Sequence, residues 1–128
     1  MKVKSNPKIS VCIPVYNSEI YLQRCLDSVI FQNFDSFEVV VVSDNSRGRD
    51  KYGHNAKKIV RMADKKAKKI RKQKDLPQID FLFVEHSKNL GTLETRRTLF
   101  ENSRGDYIIQ LDSDDQYAEN ALSTLYNY

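Results

Sequence analysis

Two carboxylates near the end of the sequence, Asp112 and Asp114, are able to bind a metal ion. They belong to the acidic segment 112–115, which follows the predicted strand at residues 107–111. If the chain stays extended past that strand, residues 112 and 114 point to the same side and bring two carboxylates to one point. Mg²⁺ and Mn²⁺ favour such oxygen ligands and complete their shell with water and phosphate oxygens. The residues alone leave two interpretations open, a metal site and an acidic turn with a helix-capping aspartate.

A second polar group follows a run of valines. Asp44 and Asn45 come just after residues 39–42, where a side chain at a strand end is able to contact a nucleoside base or ribose. The alternative is an Asx turn, in which the side chain bonds its own backbone. Tyr16 either stacks on a base or is a half-buried loop aromatic. His86 either contacts a nucleotide or forms hydrogen bonds within a loop.

The segments between these residues predict alternating strands and helices. Four short apolar runs are typical of buried strands, the first of them ended by Pro14; they cover residues 9–13, 37–42, 81–84 and 107–111. Apolar residues at helical spacing predict four helices; they cover the stretch from an Asn17 or Ser18 cap to 30, then 57–74, 93–100 and 118–126. This order predicts an α/β fold with a mostly parallel sheet and helices on both faces. The polar residues are then expected at the carboxyl ends of the strands.

The composition predicts one ordinary globular domain. The chain has 128 residues, of which 40% are hydrophobic and 30% charged, which suffices for a single core. We expect neither a signal peptide nor a spanning helix, because no stretch approaches the ~18 apolar residues that a span requires. Cys12 and Cys25 lack C-x-x-C spacing, which favours reduced core thiols and a cytoplasmic location.

Positive charge is concentrated in the segment from Lys57 to Lys74. The chain carries a net charge of +4, but this segment alone carries +9 and the remainder −5. Nucleic-acid-binding proteins typically spread basic residues and aromatics over one recognition face, so no nucleic-acid partner is expected. Two interpretations of the segment stay open, a solvated helix and a peripheral contact with anionic lipid headgroups at the inner face of the membrane.

Four ordered blocks of the sequence resemble the family 2 glycosyltransferases. The first is I-S-V-C-I-P-V-Y-N-S-E at residues 9–19, and the second is V-V-V-S-D-N-S at 40–46. The third is N-L-G at 89–91 with Arg96, and the fourth is G-D-Y-I-I-Q-L-D-S-D-D at 105–115. The resemblance implies a Rossmann-like GT-A nucleotide-binding half that occupies residues 1–128, with a basic helical insertion at 51–75.

The resemblance also implies roles for individual residues. Asp114, together with Asp112, would hold Mn²⁺ or Mg²⁺, and Arg96 would face the phosphates. The implied nucleotide-sugar site consists of Pro14, Tyr16, Asn17, Glu19, Asp44, Asn45, Arg96, Asp112 and Ser113. Ser43 and Asn45 depart from the family, which usually has Asp and Gly at these positions of the turn.

The implied reaction moves a sugar from a nucleoside diphosphate sugar, most commonly a UDP-sugar, to a saccharide or lipid-linked acceptor with inversion. Its general base is expected beyond Tyr128, so no residue of this chain is assigned to proton transfer.

Two other functions stay open at this point. A sugar-nucleotidylyltransferase would place a Gly-rich basic loop after the first strand, and residues 14–19 contain neither Gly nor Lys. A non-catalytic nucleotide-binding module is the third hypothesis.

Overall fold

The computed structural model describes residues 6–127, in which four parallel strands form a sheet of order β3-β2-β1-β4. The strands are β1 (Ile9–Val15), β2 (Phe37–Ser43), β3 (Asp80–Glu85) and β4 (Tyr107–Gln110). The helices are α1 (Glu19–Ile30), α2 (Ala56–Gln73), α3 (Thr92–Glu101) and α4 (Ala121–Tyr126). The sequence-based prediction of an α/β fold with a parallel sheet is therefore confirmed.

The two central strands are buried because helices cover both faces of the sheet. On one face, β1 residues such as Val11 pack with Leu26 of α1 and Ile59 of α2 in the main core. On the other face, Val40 and Val42 pack with Leu99 of α3. A strand that is covered on both faces needs apolar residues at every position, which explains the unbroken valine run.

The first strand continues past Pro14 to Val15, which corrects the prediction that it ends at the proline. Pro14 lies opposite Val42 in the register of β1 with β2. On its other side β1 is bonded to the β4 end of the sheet, where the N–H of Leu111 donates to the carbonyl of Cys12. The nitrogen of Pro14 faces that same side, beyond the last residue of β4, so the missing N–H removes no hydrogen bond from the sheet.

The last helix starts at Ala121, three residues later than the sequence predicted. Side chains of α1 and of the turn after it hold the preceding segment, since the Tyr117 N–H donates to Ser28 Oγ at 2.9 Å and Gln32 Nε2 donates to the Ala118 carbonyl at 2.6 Å. These bonds draw residues 117 and 118 along α1. The backbone therefore becomes helical only after it leaves that surface.

Helix α2 occupies most of the 51–75 segment, and its inner face is part of the core. Ala63 and Ala67 are buried with Ile59. The outer face carries the lysines. Among the described residues, none of the helices combines the length and apolar character that crossing a bilayer requires.

Arg71 joins α2 to the end of α1. Its side chain is fully buried and donates to four carbonyls, with Nε to Pro77 at 2.7 Å, Nη2 to Phe34 at 2.6 Å, and Nη1 to Gln32 at 2.9 Å and Ile30 at 3.4 Å. Burial lowers the pKa of the guanidinium, because the charge has left water. The carbonyls at the end of α1 compensate it with their partial negative charge.

We expect Arg71→Met to lower the free energy of unfolding by about 3 kcal/mol, because it leaves buried carbonyls unpaired. Urea unfolding measures the change. Lys72→Met is the matched control, since it removes an exposed cation from the same turn of α2, and it is expected to stay within about 0.5 kcal/mol of the parent. Equal losses in the two variants would contradict the bridging role of Arg71.

Candidate functional site

A cavity of about 510 Å³ opens at the carboxyl ends of β1, β2 and β4. The starts of α1 and α3 form two of its sides. Its lining combines residues from all four sequence blocks; they are Pro14, Val15, Tyr16, Ser18, Asp44, Asn89, Gly91, Thr92, Thr95, Arg96, Gln110, Asp112, Ser113 and Asp114. Ligands of parallel sheets bind at this edge, where strand ends and helix starts meet.

The structure brings together most of the residues that the sequence singled out. Those lining the cavity are Pro14, Tyr16, Asp44, Arg96, Asp112, Ser113 and Asp114. Three residues assigned to the nucleotide-sugar site do not line it; they are Asn17, Glu19 and Asn45. Tyr16 is 57% exposed and stands at the cavity with much of its side chain in solvent.

The three residues outside the cavity form contacts around Ser46. The Ser46 hydroxyl donates to the buried Glu19 carboxylate at 2.6 Å and accepts from the Asn17 N–H at 2.8 Å. Asn17 and Asn45 have φ values of 54° and 52°, a left-handed conformation that asparagine tolerates better than most residues. Gly48 lies against Glu19, where a Cβ would come within 2.5 Å of Oε1. These residues join the turns that follow β1 and β2.

Asp44 is buried and its carboxylate accepts three hydrogen bonds. Oδ1 accepts from His86 Nδ1 and from the Leu90 N–H, both at 2.8 Å, and Oδ2 accepts from the Gly91 N–H at 2.9 Å. Burial alone would raise the pKa of Asp44, but the bonds from His86, Leu90 and Gly91 lower it below its ordinary value. All three donors lie in the loop from β3 to α3. The carboxylate therefore fixes that loop and does not bond its own turn.

His86 serves this loop as a hydrogen-bonding residue. Its Nε2 lies 2.7 Å from the Thr98 hydroxyl, and that hydroxyl donates to the Glu94 carbonyl at 2.9 Å. Through these contacts with Asp44 and Thr98, the ring links the end of β2 to α3. Of the two interpretations of His86, the loop contact is the one that the geometry favours.

The acidic cluster lies in a turn, which corrects the extended geometry expected from its spacing. The Asp115 N–H donates to the Asp112 carbonyl at 2.9 Å and closes the turn. Its three exposed carboxylates nevertheless converge, with one oxygen each from Asp112, Asp114 and Asp115 within 4.8 Å of one another. Three hard oxygen donors at this spacing fit Mg²⁺ or Mn²⁺.

Side chains at the start of α1 and within it hold the acidic turn in place. Arg24 Nη2 donates to the Asp114 carbonyl at 3.0 Å, and the hydroxyls of Ser18 and Ser113 form a short hydrogen bond. The Cys25 thiol donates to the Asp112 carbonyl at 3.7 Å. Burial, and then the charges of Asp115 and Asp114, raise the pKa of this thiol to about 12, so it remains a neutral donor. These supports could not be predicted from the sequence, because they depend on where α1 lies.

Some cavity residues that were not predicted could have been found from their spacing to the predicted ones. Gln110 stands two positions before Asp112, and its Nε2 donates to Asp112 Oδ1 at 3.1 Å. Thr92, Thr95 and Arg96 share one face of α3 at helical spacing. Arg96 is exposed and has no carboxylate at ion-pair distance among residues 6–127. Its charge is therefore available to a ligand in the cavity.

Comparisons with known proteins identify similar chains. A family model described as Glycosyl transferase family 2 matches residues 10–128. The chain is 35% identical over 93% of its length to glycosyltransferase GlyA of Streptococcus pneumoniae serotype 4, of which it covers 14%. It is 28% identical over 93% of its length to a GalNAc(5)-diNAcBac-PP-undecaprenol beta-1,3-glucosyltransferase of Campylobacter jejuni, of which it covers 33%.

A solved structure gives the same result for the fold. The crystal structure of S. aureus TarS 1-349 in complex with UDP matches with a TM-score of 0.71 and 27% identity, over 94% of this chain and 31% of the TarS 1-349 chain. The chain thus spans a third or less of the length of each of these relatives.

The contacts of Asp44 predict a pH-dependent contribution to stability. The pKa of Asp44 is about 3.9 in an unfolded chain and lower in the folded one. The ionised carboxylate therefore stabilises the fold fully at pH values above about 3.9. This contribution is lost as the pH falls through the lower, folded pKa. We expect Asp44→Asn to cost about 2 kcal/mol near neutral pH and progressively less below about pH 4.

Urea unfolding of both proteins at a series of pH values measures this difference. Asp35→Asn is the control, because the side chain of Asp35 is 63% exposed and its substitution is expected to cost under about 0.5 kcal/mol at any pH. A cost for Asp44→Asn that is unchanged from neutral to acidic pH would contradict the ionised state of this carboxylate.

Proposed function

The chain belongs to glycosyl transferase family 2, and we propose that it forms the nucleotide-sugar-binding part of a metal-dependent glycosyltransferase. The observation that carries the proposal is the shared cavity, in which the acidic turn at Asp112 and Asp114 and the exposed cation of Arg96 line one space of about 510 Å³. A nucleoside diphosphate fits this cavity, because a metal ion on the acidic turn and the guanidinium of Arg96 would supply the cations that its phosphates require. Other polar groups of the cavity would supply hydrogen-bonding partners for its base and ribose.

The proposed donor is a UDP-sugar. TarS, a relative of the same fold at 27% identity, is known in complex with UDP. Pro14 and Tyr16 lie at the end of β1 and supply an apolar surface for the base. Asp44 Oδ2 accepts one hydrogen bond within the protein, from Gly91, and a carboxylate oxygen can accept a second, for which we propose a base N–H.

The proposed metal ligands are Asp114 and Asp112. Their carboxylates converge and lie in solvent, so a hydrated cation reaches them without opening the fold. A bound Mn²⁺ or Mg²⁺ supplies positive charge to the diphosphate as it becomes the leaving group. Arg96 contributes a second positive charge from α3, and Thr92 lies beside it at the start of that helix, where the helix dipole is positive.

The proposed transfer is a direct displacement with inversion, which needs a base to accept the proton of the acceptor hydroxyl. We assign the cavity carboxylates of this chain to the metal and the donor. The relatives are about three to seven times longer, and we propose that the acceptor site and the base correspond to their additional length. Membership of this family disfavours a sugar-nucleotidylyltransferase. The relatives are named as glycosyltransferases, which disfavours a non-catalytic module.

The proposed acceptor is a saccharide or a lipid-linked saccharide. The C. jejuni relative, at 28% identity, is named for a glycan on undecaprenyl diphosphate. We propose a cytoplasmic location with contact at the inner face of the membrane, where such an acceptor would be met.

Metal and nucleotide are expected to stabilise the fold together. With Mn²⁺ present, UDP at a hundredfold excess over its Kd should add about 2.7 kcal/mol to the free energy of unfolding, and it should add clearly less without the metal. Asp114→Asn keeps the shape of the side chain but removes its charge. We therefore expect the variant to lose the metal-dependent increment and keep its ligand-free melting temperature.

Thermal melts with and without UDP and Mn²⁺ measure these quantities. Asp35→Asn removes an exposed carboxylate away from the cavity and should keep the full increment. Retention of the increment by Asp114→Asn would show that residues 112–115 are an acidic turn without a metal role.

A further inference from the structure

The outer face of α2 carries a straight line of cations. Residues at alternating intervals of three and four lie on one face of a helix. The outer cation stripe consists of Lys58, Arg61, Lys65, Lys68 and Lys72, all of them exposed. It lies opposite the buried face that packs into the core. With a rise of 1.5 Å per residue, the stripe is about 21 Å long.

Most of this charge is unpaired within the chain. In residues 6–127, ion pairs reach the Lys57 to Lys74 segment at only two places, Lys66 with Asp27 at 3.0 Å and Lys68 with Asp64 at 3.8 Å. Arg71 bonds carbonyls inside the core. The remaining cations face solvent, where their mutual repulsion gives no benefit to the fold. A planar anionic partner would engage the whole stripe at once.

Two exposed aromatic rings lie near α2, Phe31 beside Lys66 and Lys74, and Tyr52 in the loop that leads into the helix. Phe31 is 41% exposed and Tyr52 is 66% exposed, and both line a groove of about 440 Å³ outside the donor cavity. Lysine ammonium groups lie near these rings, Lys66 and Lys74 at 5.7 and 5.1 Å from the centre of Phe31. Aromatic side chains with adjacent lysines are favoured at the headgroup level of a bilayer.

We propose that this surface, the outer cation stripe with Phe31 and Tyr52, docks onto an anionic lipid bilayer. The charge complementarity is that of a polybasic segment with anionic headgroups. Nucleic acid fits the surface less well, because the lysines over Phe31 compete with base stacking on that ring. The apolar face of α2 is used in the core, so the helix lies on the headgroups and does not insert.

The docking surface borders the donor site. Arg24 lines the groove and also donates to the Asp114 carbonyl of the acidic turn. A bilayer on this face therefore lies next to the proposed metal ligands. This last step rests on the proposed function, whereas the docking itself does not, and the two can be tested separately.

The test is sedimentation of the 128-residue chain with vesicles. Phosphatidylcholine vesicles are compared with phosphatidylcholine vesicles that contain phosphatidylglycerol. We expect binding only to the anionic vesicles, weakening as the salt concentration rises. The double variant Arg61→Gln with Lys65→Gln should lose about 25-fold in affinity, at about fivefold per cation.

The matched control is Lys88→Gln with Arg97→Gln, which removes two exposed cations that lie outside the stripe, one in the loop before α3 and one on α3, and should change affinity less than about twofold. Equal losses in the two double variants, or equal binding to neutral and anionic vesicles, would overturn the proposal. So would tighter binding of the parent chain to single-stranded RNA than to the anionic vesicles, with the same loss in the stripe variant.

A UDP thermal melt on the same proteins separates the two proposals. The stripe variant should melt as the parent does and keep its response to UDP and Mn²⁺, because its substitutions lie outside the cavity. Loss of vesicle binding with an intact UDP response supports the docking surface. A stripe variant that no longer responds to UDP would contradict the separation of the two surfaces.

Discussion

The buried carboxylate of Asp44 is the group on which the site depends. A charge at the end of a central strand, almost out of contact with water, is tolerated only if donors compensate it. Asp44 receives them from His86, Leu90 and Gly91, which lie more than forty positions later in the chain. These bonds fix the loop from β3 and the start of α3. The position of Arg96 at the cavity follows from that.

The acidic turn depends on a different support. Its backbone carbonyls are bonded from α1 by Arg24 and Cys25, and its Ser113 hydroxyl meets Ser18. The cavity therefore has two halves, one held by α1 and the other by Asp44 through the start of α3, and these two helices lie on opposite faces of the sheet. Their separation is set by the pairing of β1 with β2 and β4. The charged groups of the site are therefore held in place before a ligand binds, so binding does not bear the entropic cost of ordering them.

The arrangement of strands and helices could be predicted from the sequence, whereas most side-chain contacts of the site could not. The valine run of β2 and the polar residues at the strand ends sufficed to predict a parallel sheet with a site at its carboxyl edge, because both are local consequences of burial. The partners of Asp44 were beyond such reasoning, since they are donors in a distant loop. Pro14 predicted a strand end because the sequence does not show where β4 stops. Only the position of β4 shows that the proline nitrogen faces a part of the edge where no sheet hydrogen bond is needed. The conformation of residues 112–115 likewise depends on contacts with α1.

Arg71 has a consequence for how the length of this chain can vary. Helix α1 ends without a glycine in the left-handed conformation, since the residue after it, Phe31, has a φ of −84°. The carbonyls at that end are bonded by a guanidinium that arrives from the end of α2. Deletion of α2 would leave those carbonyls without their donor. A homologue with a shorter segment here must end its first helix by another means, such as a glycine cap or ordered water.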